Sequence, residues 1–530
     1  TVIVHEDKKV PMVAVNVWYH VGSKNEKVGK TGFAHLFEHL MFNGTENYNN
    51  EYFEPFEKIG STDQNGTTNS DRTNYFQNVP TNALDLALWM ESDRMGHLLG
   101  VVDQEKLDEQ RGVVQNEKRQ GENQPYGKAF TRISEAAFPE GHPYSWSVIG
   151  SMEDLDAASL EDVQEWFKTY YGPNNAVLAL AGDIDLETAK EKVNKFFGDI
   201  PAGPPLVKPD IWIAKRSEEK RDVMFDNVPQ ARIYKTWNVP PRDTEAAAHF
   251  DLASSVLVGG KNSPLYKELV YEKQIATNVS AFYYDREIAG MFFLIADVVA
   301  GEDPATVEKA MDDVINSFIK KGPNRKLLEA EKTKAVAGFI RGIQRIGGFG
   351  GKSDLLATCQ TYTGNPGCYR DTAKYLDEVT PAKMKATFAQ WIDDTAYVLT
   401  ILPNEKLGVN DEGIDRSEGV PYPTEKVSFE FPTLQTATLS NGAKVVLAQR
   451  TGVPLVELNF QFNFGYAQEN NDELGYTNFM MDMLNEGTKK YSSLQFDEAL
   501  DSLGSNLGFG SGLDTSYATV STLKTNPVSY

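Results

Sequence analysis

The chain opens on a period-two pattern. In VPMVAVNVWYHV, Val13, Val15, Val17 and Tyr19 alternate with smaller or more polar neighbours, which predicts a half-buried strand over 12–21, ended by Gly22 and Ser23. A shorter strand is expected over 2–4. The period then changes. Residues 31–45, TGFAHLFEHLMFNGT, place Phe33, Ala34, Leu36, Phe37, Leu40, Met41 and Phe42 in nearly every direction around a helix, so a short helix buried all round is expected, closed by Asn43 and Gly44. Helices follow over 51–59, 82–98, 103–120, 160–170 and 183–197, with strand-like Thr, Asn and Tyr alternation between 60 and 80 and a strand over 176–180. The helix over 103–120 turns Leu107, Gln110, Val114 and Glu117 inward as one stripe.

These elements make an α+β domain over 1–205. A second α+β domain of the same type, without a metal site, is read over 215–405, with strands at 231–237 and 291–298 and helices at 246–257, 304–319, 327–344 and 381–391. Its GGFGG at 347–351 reads as a flexible joint. Residues 406–432 lack periodicity and are rich in Pro, Gly and charge, so they read as a linker.

After that linker the chain repeats itself. Residues 453–491 lie over 10–48 at a constant offset: Pro454 and Pro11, Gly465 and Gly22, Gly475 and Gly32, and Gly487 and Gly44 are each 443 apart. The third unit, 433–530, is therefore expected to begin a copy of the first domain. At that offset His35, Glu38 and His39 meet Asn478, Met481 and Asp482, a set unable to replace two imidazoles on zinc, so the copy is expected to be metal-free. The copy starts with LSNGAKVVL and runs to about half a domain. The expectation is that residues precede Thr1 and that a further segment completes the copy.

Composition narrows the function. With 41% hydrophobic residues the chain is globular, and its net charge of -23 opposes nucleic-acid backbones and anionic membranes. No apolar run approaches the roughly 18 residues of a membrane span. Cys359 and Cys368 either pair or remain free thiols. The chemistry sits in the apolar helix. His35 and His39, four apart, share one face and can hold one ion, with Glu38 at its edge, an H-x-x-E-H arrangement. The structural alternative is two satisfied core histidines, a rare coincidence with seven histidines in 530 residues. Glu117 is the third candidate ligand, its alternative a buried ion pair.

HLFEH, SDRTNYFQNVP and EQRGVVQNE together resemble the pitrilysin/insulinase (M16) family of zinc peptidases, most closely the large bacterial members with four such domains. The resemblance implies a repeated two-layer fold, antiparallel-rich sheets with helices packed on them, of the LuxS/metallopeptidase-like type. It implies one Zn2+ per chain on His35, His39 and Glu117, with Glu38 as general base of a zinc endopeptidase. Asn65, Gly66 and Thr67 match the edge strand that such enzymes extend with substrate. Gln110 stands where many members have a second Glu, which alters the charge around the ligands. Thr277 stands where a substrate-clamping Tyr would be, so a C-terminal half or a partner subunit is expected to complete the site. Substrates are expected to be peptides or unfolded polypeptides, and the compartment periplasmic or secreted from family habit. The competing readings are a noncatalytic peptide-binding or scaffold subunit and a specific precursor-processing peptidase.

Overall fold

The period-two stretch near the N-terminus becomes the centre of a sheet. The structure, a computed structural model, describes residues 1–404, 434–449 and 454–524. Strands β1 (Val2–Glu6), β2 (Met12–Tyr19), β3 (Thr62–Thr68), β4 (Thr73–Pro80) and β5 (Ala176–Gly182) pair in the order β1-β5-β2-β4-β3. β1 runs parallel to β5 and the other neighbours are antiparallel. Val13, Val15, Val17 and Tyr19 point from β2 into one core with the helices Phe33–Leu40, Leu84–Gly96, Gln104–Glu122, Leu160–Tyr170 and Leu186–Phe197. Helix and strand thus share one hydrophobic layer, in line with the α+β domain read from the pattern and the two-layer arrangement that the family resemblance implies.

The second sheet repeats that topology with β6 (Lys220–Asp226), β7 (Arg232–Val239), β8 (Ala276–Tyr284), β9 (Gly290–Val298) and β10 (Tyr397–Pro403), ordered β6-β10-β7-β9-β8. Helices Glu245–Val258, Pro304–Lys321 and Pro381–Trp391 cover one face. The two domains exchange helices across their other faces. Helix Ala129–Ala137 sends Ala129, Ile133 and Ala136 against Tyr234, Phe293 and Leu399 of the second sheet, and helix Lys352–Thr363 sends Ala357 and Tyr362 against Trp18 and Val177 of the first.

GGFGG is not a free joint. A Cβ at Gly347 would lie 2.0 Å from Asn78 Oδ1 and 2.7 Å from Ala14 Cβ, and Phe349 meets Phe76 edge-on at 5.1 Å. Glycine serves here for close approach to the first sheet. Of the two cysteine alternatives the structure has the bond: Cys359 and Cys368 form a disulfide. The linker expected over 406–432 lies outside the described residues.

In the third unit β11 (Gln435–Thr438) and β12 (Lys444–Leu447) form a hairpin, and β13 (Leu455–Phe462), β14 (Asn506–Ser511) and β15 (Ser516–Leu523) pair as β13-β15-β14. β13, β15 and helix Tyr476–Met483 lie 443 residues after β2, β4 and helix Phe33–Leu40, end for end. Side-chain bonds repeat too: Thr73 Oγ1 donates to Val21 O, and Ser516 Oγ to Phe464 O. Burial does not repeat. Phe460, Phe479 and Met480 are exposed, whereas their counterparts Val17, Leu36 and Phe37 are buried. No described helix is long and apolar enough to cross a membrane.

Candidate metal centre

The histidine helix, Phe33–Leu40, starts at Gly32, whose φ of 84° and whose approach to Ile149 O (2.5 Å from a built Cβ) both require glycine. No side chain at that position caps it. Glu26, six residues earlier, does so instead, accepting from Gly32 N at 3.1 Å and Ala34 N at 2.8 Å. Burial pushes Glu26 up to about 8 against those backbone donors. Asp154 Oδ2 holds the preceding residue, taking bonds from Thr31 N (2.9 Å) and Thr31 Oγ1 (2.6 Å).

The helix is not buried all round. Phe33, Ala34, Leu36, Phe37, Leu40 and Met41 are buried, but His35 and His39 keep 15% and 24% of their side chains exposed and face an opening. Helix Gln104–Glu122 packs across it, capped by Asp103. Leu107, Gln110 and Val114 are buried as expected. Glu117, at the end of that stripe, is exposed rather than inward, its side chain 52% accessible. It rises over the two imidazoles: Glu117 Oε2 is 3.6 Å from His35 Nε2 and 3.5 Å from His39 Nε2. Donors about 2.1 Å from one tetrahedral ion lie about 3.4 Å apart, so these separations fit a shared ion. Each of the three residues offers one donor atom, all within 4.8 Å of one another. Burial, aided by the neighbouring His39, pushes His35 down to about 4, and burial lowers His39, so both rings are neutral and able to ligate. Gln110 hydrogen-bonds the His39 ring.

Glu38 is buried beside them. Burial pushes its carboxyl up to about 7, against a Thr68 hydrogen bond and the charge of Arg72. Thr68 belongs to β3, the edge strand that also carries Asn65, Gly66 and Thr67, so that strand runs alongside the carboxylate. A Cβ at Gly66 would lie 2.6 Å from Phe42 Cζ and 3.0 Å from Tyr75 Cδ1. We therefore expect Gly66→Ala to lift the strand at a cost of about 1–3 kcal/mol, read as a lowered denaturation midpoint; an unchanged midpoint would rule out this seating. Thr277 is at the start of β8, where its hydroxyl accepts from Gln230 Nε2 at 2.7 Å. Sequence reasoning missed Glu26 and Thr68. Glu26 was findable in the repeat, since Glu469 likewise accepts from Gly475 N and Thr477 N.

Comparison with known proteins gives the same outline. The profile of the insulinase family (peptidase family M16) matches residues 1–149 and again 444–526, and that of the peptidase M16 inactive domain matches 157–335. The zinc protease PqqE of Helicobacter pylori is 28% identical over 334 residues, covering 62% of this chain and 73% of that protein. The mitochondrial-processing peptidase subunit beta of Saccharomyces cerevisiae is 24% identical over 345 residues, 61% of this chain and 71% of its own length. In fold, the chain is similar to the crystal structure of the periplasmic protease PqqL from Escherichia coli, with a TM-score of 0.61, 17% identity, and coverage of 99% of this chain and 63% of that one.

Proposed function

Because the chain belongs to the insulinase (M16) family of peptidases, we propose that it is a zinc-dependent endopeptidase acting on peptides or unfolded polypeptides, with His35, His39 and Glu117 as ligands and Glu38 as general base. The observation that carries this is the convergence of three neutral or anionic donors on one point with a buried carboxylate beside it. His35, His39 and Glu117 would hold the zinc ion, which when bound would supply an acidified water, its pKa lowered to about 7, and Lewis-acid polarisation of a carbonyl. Glu38, buried beside the two histidines, would take the proton of the attacking water and hand it to the leaving amine. β3, with Asn65, Gly66 and Thr67, lies at the edge of its sheet, where an extended peptide can add as a further strand. Gln110 orients the His39 ring.

A further α/β segment, in the same polypeptide or in a partner subunit, completes the working enzyme. The exposed Phe460, Phe479 and Met480 support this, since the same positions of the first domain lie under helices and a central strand. A periplasmic or secreted setting is supported by the Cys359–Cys368 bond and by the similarity to a periplasmic protease.

Metal removal tests the reading. Chelation is expected to abolish peptide hydrolysis, and one equivalent of Zn2+ per chain to restore it, with none taken up at Asn478, Met481 and Asp482. Hydrolysis that survives in metal-free protein sinks the assignment. Similarity to processing-peptidase beta subunits favours a second reading, cleavage of one precursor class. Mass-spectrometric reading of a peptide-library digest separates the two by whether cuts share a motif.

A further inference from the structure

The turn between β8 and β9 meets the first domain at the segment that leads into the histidine helix and at the β3–β4 turn. Glu287 Oε2 lies 2.7 Å from His20 Nε2 and accepts a hydrogen bond from Lys24 Nζ. Glu287 N donates to Asp71 Oδ2 at 3.1 Å. Asp71 Oδ1 accepts from Tyr144 OH at 2.5 Å, and that hydroxyl oxygen accepts from Ile288 N at 2.9 Å. Lys24 Nζ donates onward to Asp71 O at 3.1 Å. The side chains of Lys24 and Asp71 are each 2% exposed, a burial that charged groups sustain only when fully paired. Burial opposes the charge on Glu287, but the His20 bond and the Lys24 charge outweigh it and hold the carboxyl at about 2.

The residues so gripped sit at the roots of the site. Ser23 N and Lys24 N donate to Asn69 O (3.2 Å) and Ser70 O (2.9 Å), tying the turn that leads to Glu26 and the histidine helix to the β3–β4 turn. Gly22 makes that approach possible, since a Cβ there would lie 2.3 Å from Asn69 O. Thr68, on the same hairpin, touches Glu38.

The third unit supplies an internal control. It keeps Gly465, Glu469, Gly475 and Asp514 at the places of Gly22, Glu26, Gly32 and Asp71. Its turn forms the same backbone bonds, Tyr466 N to Gly512 O and Ala467 N to Leu513 O. Yet His20 and Lys24 are replaced by Asn463 and Ala467. The turn therefore closes without the imidazole or the ammonium. Those two side chains occur in the copy that also has the donor triad and faces Glu287.

We propose that Glu287, acting through Lys24 and Asp71, is a positioning residue by which the second domain sets the histidine helix against the edge strand of the first. The inference rests on the peptidase reading for its consequence, though not for its geometry. The test uses the full chain with Glu287→Gln and, separately, Tyr144→Phe. Both are expected to keep one zinc per chain while kcat falls about tenfold to a hundredfold; the thermal midpoint stays close to that of the unaltered protein in Tyr144→Phe and drops in Glu287→Gln, where buried Lys24 loses an anion. Amide exchange should quicken about tenfold within 22–34 and 62–73 and stay unchanged elsewhere in the first domain. The proposal is overturned if exchange in those segments is unaltered in both variants, or if in Tyr144→Phe it quickens throughout the domain as the thermal midpoint drops. An unaltered protein that holds zinc but cleaves no peptide removes the peptidase reading alone; the exchange pattern still decides the positioning.

Discussion

Glu38→Gln is expected to bind zinc at one per chain and to lose peptide hydrolysis by about two to four orders of magnitude, the range spanned by a removed general base. The amide is isosteric with the carboxyl and lies outside the donor set, so His35, His39 and Glu117 keep their mutual spacing. What disappears is the carboxylate proposed as general base. His39→Ala should behave differently, because it removes one of three donors: zinc content and hydrolysis fall together. The pair of variants separates base from ligand in a single assay of metal content and turnover. Undiminished turnover in Glu38→Gln would falsify the assignment of Glu38, while zinc lost from Glu38→Gln would show it to be a ligand instead.

The donor pair was legible because its spacing clashes with its surroundings: two imidazoles and a carboxylate in a helix otherwise made of Phe, Leu, Ala and Met. Glu117 was legible as a residue but not in its environment. A stripe read at helical period fixes a face only to within about a residue, and here the buried face continues from Val114 to Lys118 and leaves Glu117 at its rim. The repeat was legible as a constant offset of 443, the offset at which β13 and helix Tyr476–Met483 follow β2 and helix Phe33–Leu40, while the ends of the elements were not. The helix exchange between domains escaped the sequence because Ala129–Ala137 and Lys352–Thr363 bury their apolar faces against sheets far away in the chain, and local periodicity carries no address. β6 and β8 escaped for another reason: both are edge strands, and their exposed, mixed composition weakens alternation. The contacts of Lys24, Asp71 and Glu287 were invisible since each alone reads as a solvated charge.

Beneath the site lies a second buried pair, and its disruption should have the largest effect on stability. Arg94 and Glu91 are both fully buried on helix Leu84–Gly96, joined by Arg94 Nε to Glu91 Oε2 at 3.0 Å and Arg94 Nη2 to Glu91 Oε1 at 2.5 Å. Gln77 Nε2 adds a bond to Glu91 Oε1 at 3.0 Å. The guanidinium is sandwiched between the rings of Tyr52 and Tyr75, at 4.1 and 4.0 Å from their centroids. Removing the carboxylate leaves a cation in the core with no anion to offset its desolvation, so Glu91→Ala should cost about 3–5 kcal/mol, measured as the shift in a denaturant midpoint. Replacing both partners, Glu91→Leu with Arg94→Met, should recover most of that loss, because the desolvation penalty goes with the charge. A loss below about 1 kcal/mol in Glu91→Ala, or a double variant no better than the single one, would show that the pair is not the electrostatic unit its burial implies. The consequence reaches the site through packing. Tyr75 and Phe42 meet edge-on at 5.4 Å, and Gly66 of the edge strand rests on both. A loosened Arg94 therefore frees the floor on which the edge strand β3 is seated.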